Sequence, residues 1–556
     1  MAWQRRNAPA VVLAGVLMAA AVLLLYLGRH FTFIQDSWYF LLDRPGVNAD
    51  AFLKPHNEHI VVIPVAISKL LIAVFGMTSA LPERIVLTAM LLATAVLVFV
   101  YVRRRIGPWP GVIAATLLLF LGPSWSVLLW PFEIVIVGSV LTGVAMLLVL
   151  EREDRAGDAW ACVLALLSVG FSSLGVPFAI AAGADVLVNR RRRGLRRAWI
   201  ALVPLALYGL WYLGWGHEAP HHLSLDNVLS SPAYLLNGFA SSLDSLLGLS
   251  TIDVNDVGQP EWGRPLLLAA VALVAWGQTR KRGFSPRLWP VTAAAVSYWL
   301  LAGFNTVPGR PPVAGRYGYA GAAFVLLMAA DLLKGVRFGR NALLVGGAVT
   351  TLAVASNLVF FRDGRSFLEE ISVLTRAETG ALDISHRTVS PAFSLTPKVA
   401  GTATLEAISA GSYLEATREH GSPGYSPQEL AAAPESARRQ ADIVLSQALP
   451  LSTDVRPGAF RAGAGRGCTV VAGGGRAVGD VAIGPGVTKI EVAPGPAAEV
   501  SLRRFATGEF PVRTAGAPGG AVTLLRVPRD ASSRPWHLHV QAGQTARVCD
   551  PAAGAG

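Results

Sequence analysis

The strongest constraint on this chain is the recurrence of long apolar blocks through its first two thirds. They run roughly 18 to 25 residues with few charges, each about the length a helix needs to cross a bilayer. Only helices and closed barrels satisfy their backbone hydrogen bonds inside lipid, so the blocks predict a polytopic α-helical membrane protein. Composition agrees: of 556 residues, 53% are hydrophobic and only 15% charged, with a mean hydropathy of +0.47. A disordered chain, a collagen, a coiled coil and a disulfide-dense toxin are excluded.

The net charge of +12 does not point to nucleic acid. The basic residues cluster between apolar blocks, as at Arg103 to Arg105 and Arg190 to Arg193, without interleaved aromatics. About 20 Lys and Arg fall on one set of loops and ends against about 8 on the other, the bias of the positive-inside rule. That rule sets the N-terminus in the cytoplasm. The first block, Ala8 to Gly28, follows Arg5 and Arg6 and lacks a small-residue cleavage site, so it reads as an uncleaved first helix.

Between this helix and Arg103 only one crossing fits, and the charge rule selects Leu81 to Val102 over His59 to Gly76. The latter then lies along the interface or re-enters, and 29–80 is an outer juxtamembrane loop. Further spans are expected near 111–130, 134–150, a compressed pair within 160–188, 198–215, 264–279, 288–304, 319–334 and 341–361. The total is about eleven transmembrane helices, which puts the C-terminus outside. The cluster Ser172, Ser173, Gly175 and Pro177 predicts short or broken helices, tolerated at membrane depth only when buried in protein or lining a wet cavity.

The composition shifts after 361, giving a membrane domain, 1–361, and an extracytoplasmic α+β domain, 362–556. Within the second, 362–450 reads as helical or irregular, with a capping box at Ser426-Pro427-Gln428-Glu429 leading into Leu430 to Leu449. The segment 451–556 reads as short strands, among them Lys489 to Val492, Glu499 to Phe505, Val522 to Val527 and Trp536 to Val540, separated by Gly and Pro turns. A small β-sandwich is expected. Cys468 and Cys549 flank it and can pair in an oxidising compartment, whereas Cys162 sits in an apolar block.

Candidate functional residues concentrate in the outer loops. Asp36, beside Trp38 and Tyr39, is a carboxylate placed to deprotonate a hydroxyl or help hold a metal, or an ordinary loop acid among interfacial anchors. In Lys54-Pro55-His56-Asn57-Glu58-His59, the two histidines at i, i+3 ligate a metal if helical, hydrogen-bond a sugar, or leave Asn57 to cap the following helix. Glu133 follows Trp130-Pro131-Phe132 at an outer span end. Arg310 and Arg316, with Tyr317, run against the positive-inside bias; guanidinium groups bind phosphate bidentately or snorkel to headgroups. His217, His221 and His222 with Glu218 suggest acceptor binding or a lid more than a metal. Trp536 is placed to stack on a sugar or to pack inside the sandwich. Walker, Rossmann, zincin and nucleophile-elbow motifs are absent.

The order of these features resembles the GT-C superfamily of polyprenyl-phosphate-sugar-dependent glycosyltransferases, and the run from Asp36-Ser37-Trp38-Tyr39-Phe40 to His56-Asn57-Glu58-His59 is similar to the opening of uncharacterised bacterial, often actinobacterial, members. The resemblance implies an inverting hexosyl- or pentosyltransferase in the bacterial plasma membrane, moving a sugar from a polyprenyl-phosphate donor to an envelope glycan, lipid or protein. It implies Asp36 as catalytic base or metal partner. Many relatives carry two adjacent acids there, whereas Gln35 is the neighbour here, so Glu58 or Glu133 must supply any second acid. Arg310 and Arg316 match by position the cradle of the lipid phosphate. Trp38, Tyr39, Lys54, His56, Asn57, Glu58, His59, Glu133 and Tyr317 are the expected substrate contacts. A divalent cation (Mg, Mn or Ca) held by Asp36, Glu58 and His59 stays open as a cofactor. The competing readings are a transporter or flippase of envelope lipids, with 160–188 as a midplane site, and a lipid-linked glycan polymerase or ligase.

Overall fold

The computed structural model describes residues 2–152, 154–189, 195–280, 285–394, 408–463, 465–471, 477–507, 513–542 and 545–550. The basic run Arg190 to Arg193 lies outside them. Contacts divide the chain into two compact units: Met1–Phe31, Arg44–Leu71 and Leu81–Glu369 form one, and Thr32–Asp43, Ile72–Ala80 and Glu370–Gly556 the other.

The first unit is helical. Among the described residues five helices are long and apolar enough to cross a membrane: Asn7–Leu27, Leu81–Ile106, Pro131–Val149, Leu195–Gly214 and Arg340–Ser385. A sixth arises if Pro108–Leu119 and Gly122–Leu129, bent by 47°, count as one span. The bend falls at Gly122-Pro123, where proline supplies no N–H to continue the ladder. Gly175–Val188, Gly263–Trp276 and Leu288–Phe304 are shorter apolar helices. Residues 62–75 also form a helix, and 160–188 contains two, Arg155–Phe171 and Gly175–Val188, interrupted where Ser172 turns to extended backbone.

One end of Leu81–Ile106 is locked by paired charges. Arg105 donates from Nε to Asp331 Oδ1 at 2.6 Å and bridges Glu151 at 2.8 Å, while Tyr101 donates to Asp331 Oδ2 at 2.6 Å. Asp331 is thereby compensated despite burial, as an enclosed charge requires. Elsewhere the helices approach through small residues. A side chain on Gly238 or Gly321 would meet the Trp299 ring at 2.4 Å and 2.6 Å.

In the second unit the expected capping box is formed: Ser426 Oγ accepts the Glu429 N–H at 3.3 Å and Glu429 Oε2 accepts the Ser426 N–H at 2.8 Å. The helix does not run on to Leu449. Pro427–Ala432 ends and Glu435–Ala448 starts anew after Pro434, because a proline disfavours helix in the residue before it. Asp442 then joins this helix to the strands, accepting the backbone N–H of Arg504, Phe505 and Ala506 at 2.8 to 3.0 Å.

Nine strands are described: β1 Ser452–Pro457, β2 Cys468–Val471, β3 Ala477–Ile483, β4 Gly486–Val492, β5 Ala498–Arg503, β6 Arg513–Ala517, β7 Ala521–Val527, β8 Trp536–Ala542 and β9 Ala546–Cys549. They make two antiparallel sheets, ordered β1-β7-β4-β9-β2 and β3-β8-β5-β6. Val492, Leu525 and Val548 from one and Ile483, Leu502 and Leu538 from the other share one core, the arrangement of a sandwich. Trp536 is enclosed in that core with Arg504 stacked 4.6 Å from its ring, so it packs and offers no face to a sugar. Cys468 and Cys549 sit opposite each other in the β2–β9 ladder and form a disulfide, Cα to Cα 4.0 Å.

Candidate functional site

The Pro-His-Asn-Glu-His run is a tight turn, which corrects both the helical metal geometry and the capping role considered for it. His56 N–H donates to His59 O at 3.0 Å and His59 N–H to His56 O at 2.9 Å. Asn57 has φ +50°, a left-handed conformation that asparagine tolerates better than most residues. Asn57 and His59 are exposed, Glu58 is half-buried and His56 is buried. The two histidines are paired across the turn in an antiparallel bridge and are not set one turn apart on a helix.

Ser173 holds the turn from the break between helices Arg155–Phe171 and Gly175–Val188. Its hydroxyl donates to Glu58 O at 3.3 Å and accepts from Ile60 N–H and Tyr208 OH, each at 3.4 Å. One donor and two acceptor sites are thus all used. Beneath, Ile60 packs with Val169 and Trp211, and the Trp211 indole donates to Leu53 O at 2.8 Å. Arg44, which sequence reasoning passed over, braces the approach by donating to the carbonyls of Lys54 at 2.6 Å and Pro55 at 2.9 Å. Lys54 itself is exposed. On the inner side the His56 ring lies 5.2 Å from Phe132, which is 5.1 Å from Trp130; Glu133, buried in the turn Pro131–Glu133, is their neighbour in sequence.

The loop 305–314 and the first turn of helix Gly315–Leu332 bring the arginines. Asn227 donates to Phe304 O and Thr306 O at 3.2 and 3.0 Å, Tyr234 OH to Arg310 O at 3.1 Å, and Tyr298 OH to Tyr317 O at 3.0 Å. Thus fixed, Arg310 makes a hydrogen-bonded ion pair with Glu58 across 252 residues of sequence. Arg316 is tied back to Gly309 O at 2.9 Å and lies 5.5 Å from the Tyr317 ring. His222 completes the group, with Nε2 3.8 Å from Glu58 Oε1. Its signal in sequence was the histidine cluster, whereas nothing local marked Ser173 or Tyr208.

Burial alone would raise the Glu58 carboxyl, but the hydrogen bond and charge of Arg310 hold it below the usual carboxylate range. His59 keeps exposed surface although many protein atoms crowd around it. That crowding, opposed by Glu58 and reinforced by His56, Arg310 and Arg316, pushes its imidazole down to about 4. At neutral pH this group therefore offers a neutral imidazole, one anchored guanidinium and a second guanidinium beside an aromatic ring. These suit hydrogen-bonding to a polar ring and neutralising an anion.

Asp36, Trp38 and Tyr39 belong to the other unit. Asp36 is the N-cap of helix Ser37–Leu42, is half-buried, and does not cap through its side chain. Trp38 has 0% exposure and sits edge-on between Phe33 at 5.9 Å and Tyr413 at 6.0 Å. No ring face is left for a substrate, so its expected stacking role is replaced by packing. Tyr39 is half-buried.

Among the described residues no group of three or more His, Cys, Asp or Glu side chains gathers to hold a metal. At Glu58, Oε1 is paired with Arg310, while Oε2 has no hydrogen-bond partner among the described residues. No family model matches the chain, and no curated protein or solved structure is significantly similar to it.

Proposed function

We propose that the protein is an inverting glycosyltransferase of the bacterial plasma membrane, with its N-terminus cytoplasmic and about eleven crossings. It takes a sugar from a polyprenyl-phosphate donor and passes it to an envelope glycan, lipid or protein. The observation that carries this reading is the pairing of Glu58 with Arg310 beside Arg316 and a neutral His59, in a chain with helices apolar enough to lie in lipid. Departure of polyprenyl phosphate needs charge neutralisation more than a proton, and preorganised donors supply it at little reorganisation cost.

In this mechanism the acceptor hydroxyl attacks the anomeric carbon while the bond from that carbon to the phosphate oxygen breaks. The leaving phosphate takes the electron pair against Arg310 and Arg316, and the hydroxyl proton passes to a general base, the role that the resemblance gives to Asp36. Glu58 acts as a positioning residue for Arg310. His59, Asn57, Lys54 and Tyr317 are the sugar and acceptor contacts, with His56 and Glu133 supporting them from buried positions. Sugar orientation by such groups lowers the entropic part of the barrier.

The test is release of free polyprenyl phosphate by purified protein offered polyprenyl-phosphate sugars of several kinds. Turnover with one donor, lost in Asp36→Asn and Arg310→Ala while both variants stay folded, supports the reading; unchanged turnover with EDTA would remove the divalent cation from it. Absence of turnover with every donor, alongside transbilayer lipid movement indifferent to both substitutions, would replace the transferase with a transporter.

A further inference from the structure

At the end of the first unit where helix Asn7–Leu27 stops and helix Leu81–Ile106 starts, one cation is enclosed without compensation. Arg84 is 7% exposed, and its Nε and one terminal nitrogen have no hydrogen-bond partner among the described residues. A guanidinium stays charged in any protein setting, and burying such donors unpaired is destabilising. The neighbouring acid does not relieve it, because Glu83 accepts from Ser68 Oγ at 2.7 Å. Room for the side chain is made by Gly28, where an added Cβ would stand 3.0 Å from the Arg84 terminal nitrogen and 3.2 Å from its Cδ.

A second cation stands at the same place. Arg29 is exposed, donates to Tyr26 O at 2.9 Å and lies 4.0 Å from the Tyr26 ring. Arg365 approaches that ring at 6.0 Å but carries its own carboxylate, Glu369, at 3.2 Å. Two positive charges are thus left unmatched by these neighbours. The surface beside them is apolar, with Val22, Leu81 and Ile85 all exposed. A ligand that meets both features carries negative charge on one end and hydrocarbon on the other.

We propose that Arg84 and Arg29 bind the phosphate of an anionic bilayer phospholipid, whose acyl chains lie along Val22, Leu81 and Ile85. The site is separate from the Arg310 group and holds a resident lipid, not a reacting one. Its energetic basis is a charge-assisted hydrogen bond to phosphate added to burial of chain methylenes.

The test measures thermal unfolding and bound-lipid mass for the full chain in detergent and in lipid nanodiscs. Wild type should gain stability and retain lipid with phosphatidylglycerol, and gain little with phosphatidylcholine or with inorganic phosphate. Arg84→Met should fold at least as well in neutral detergent, since it removes an unpaired buried charge, and bind phosphatidylglycerol about tenfold more weakly, the loss of roughly one charge-assisted contact. Arg29→Gln, a surface change that threatens folding less, should weaken binding by a smaller factor, and Gly28→Leu should crowd the slot and mimic Arg84→Met. Equal phosphatidylglycerol binding by wild type and all three variants would overturn the proposal. So would full stabilisation by inorganic phosphate alone, which would leave a free-anion site without a lipid.

Discussion

Two short polar and aromatic segments, Asp36 to Phe40 and Pro55 to His59, look alike in sequence and end in opposite states. In the first, the chain enters a six-residue helix, and a helix must bury one face; Trp38 goes inward between Phe33 and Tyr413. In the second, a two-residue turn points side chains outward, and His59 and Asn57 stay accessible. Residue type selected both as candidates, but backbone geometry decided that Trp38 packs while Asn57 and His59 stay accessible. The difference separates Trp38, whose loss should appear as lost stability, from His59, whose loss should appear as lost activity.

The largest effect expected on this comparison is Trp38→Ala, which empties a fully enclosed aromatic site and should destabilise the second unit by about 3–5 kcal/mol in chemical denaturation. A loss under 1 kcal/mol would break the assignment of Trp38 to packing. Next, Arg310→Ala should lower kcat/KM for donor turnover about 10²- to 10³-fold, the range for removing one transition-state donor, with little change in how the sandwich unfolds. Glu58→Gln should lower it less, because Arg310 keeps a neutral acceptor. Replacing both Cys468 and Cys549 by Ser should cost the second unit about 2–4 kcal/mol and leave donor turnover intact; a turnover loss would mean that the sandwich contributes to the reaction.

Dependence on pH sharpens the contrast, since the two regions should slope oppositely. His59 is held near 4 when folded but titrates at about 6.5 when unfolded. The unfolded chain therefore binds more protons between about 4 and 6.5, and this group makes stability rise with pH across that window. Asp442 behaves in reverse: burial outweighs its three backbone donors and raises its carboxyl. The folded state then binds more protons above the unfolded value near 3.8, so this group makes stability fall as pH rises from there to the folded value. His59→Gln and Asp442→Asn should each flatten one slope in denaturation measured from pH 4 to 7; a slope unchanged by its variant would remove that group as the cause. The smallest expected effect is Asn57→Val, which should cost about 1–2 kcal/mol at the left-handed turn residue, whereas Asn57→Gly should be nearly neutral.

Much of the local structure was legible in sequence because its causes are local. Block length and apolarity announced the helices, Ser426 and Glu429 announced a capped helix start, and period-2 runs between Gly and Pro turns announced the strands. Pro434 was underweighted, and the single helix expected over Leu430 to Leu449 became two. The sequence leaves the conformation of His56 to His59 open because the i, i+3 spacing fits both a helical face and a tight turn. No short-range pattern distinguishes them; the choice shows in Asn57 φ and in the Ser173 staple, 113 residues from Ile60.

By itself, then, the sequence determined that the chain is mostly helical and apolar enough for a bilayer, that its tail is β-rich, and that Glu58, His59, Arg310 and Arg316 deserve testing. Hydrophobic periodicity and turn chemistry act over a few residues, so they survive in a one-dimensional reading. The tertiary structure alone decided that Glu58 meets Arg310, that His59 stays neutral among cations, that Trp38 and Trp536 are packing residues, and that Arg84 lies buried without a counter-charge. Each of those depends on which distant segments share a small volume, where the local dielectric and neighbouring charges fix what a side chain can do.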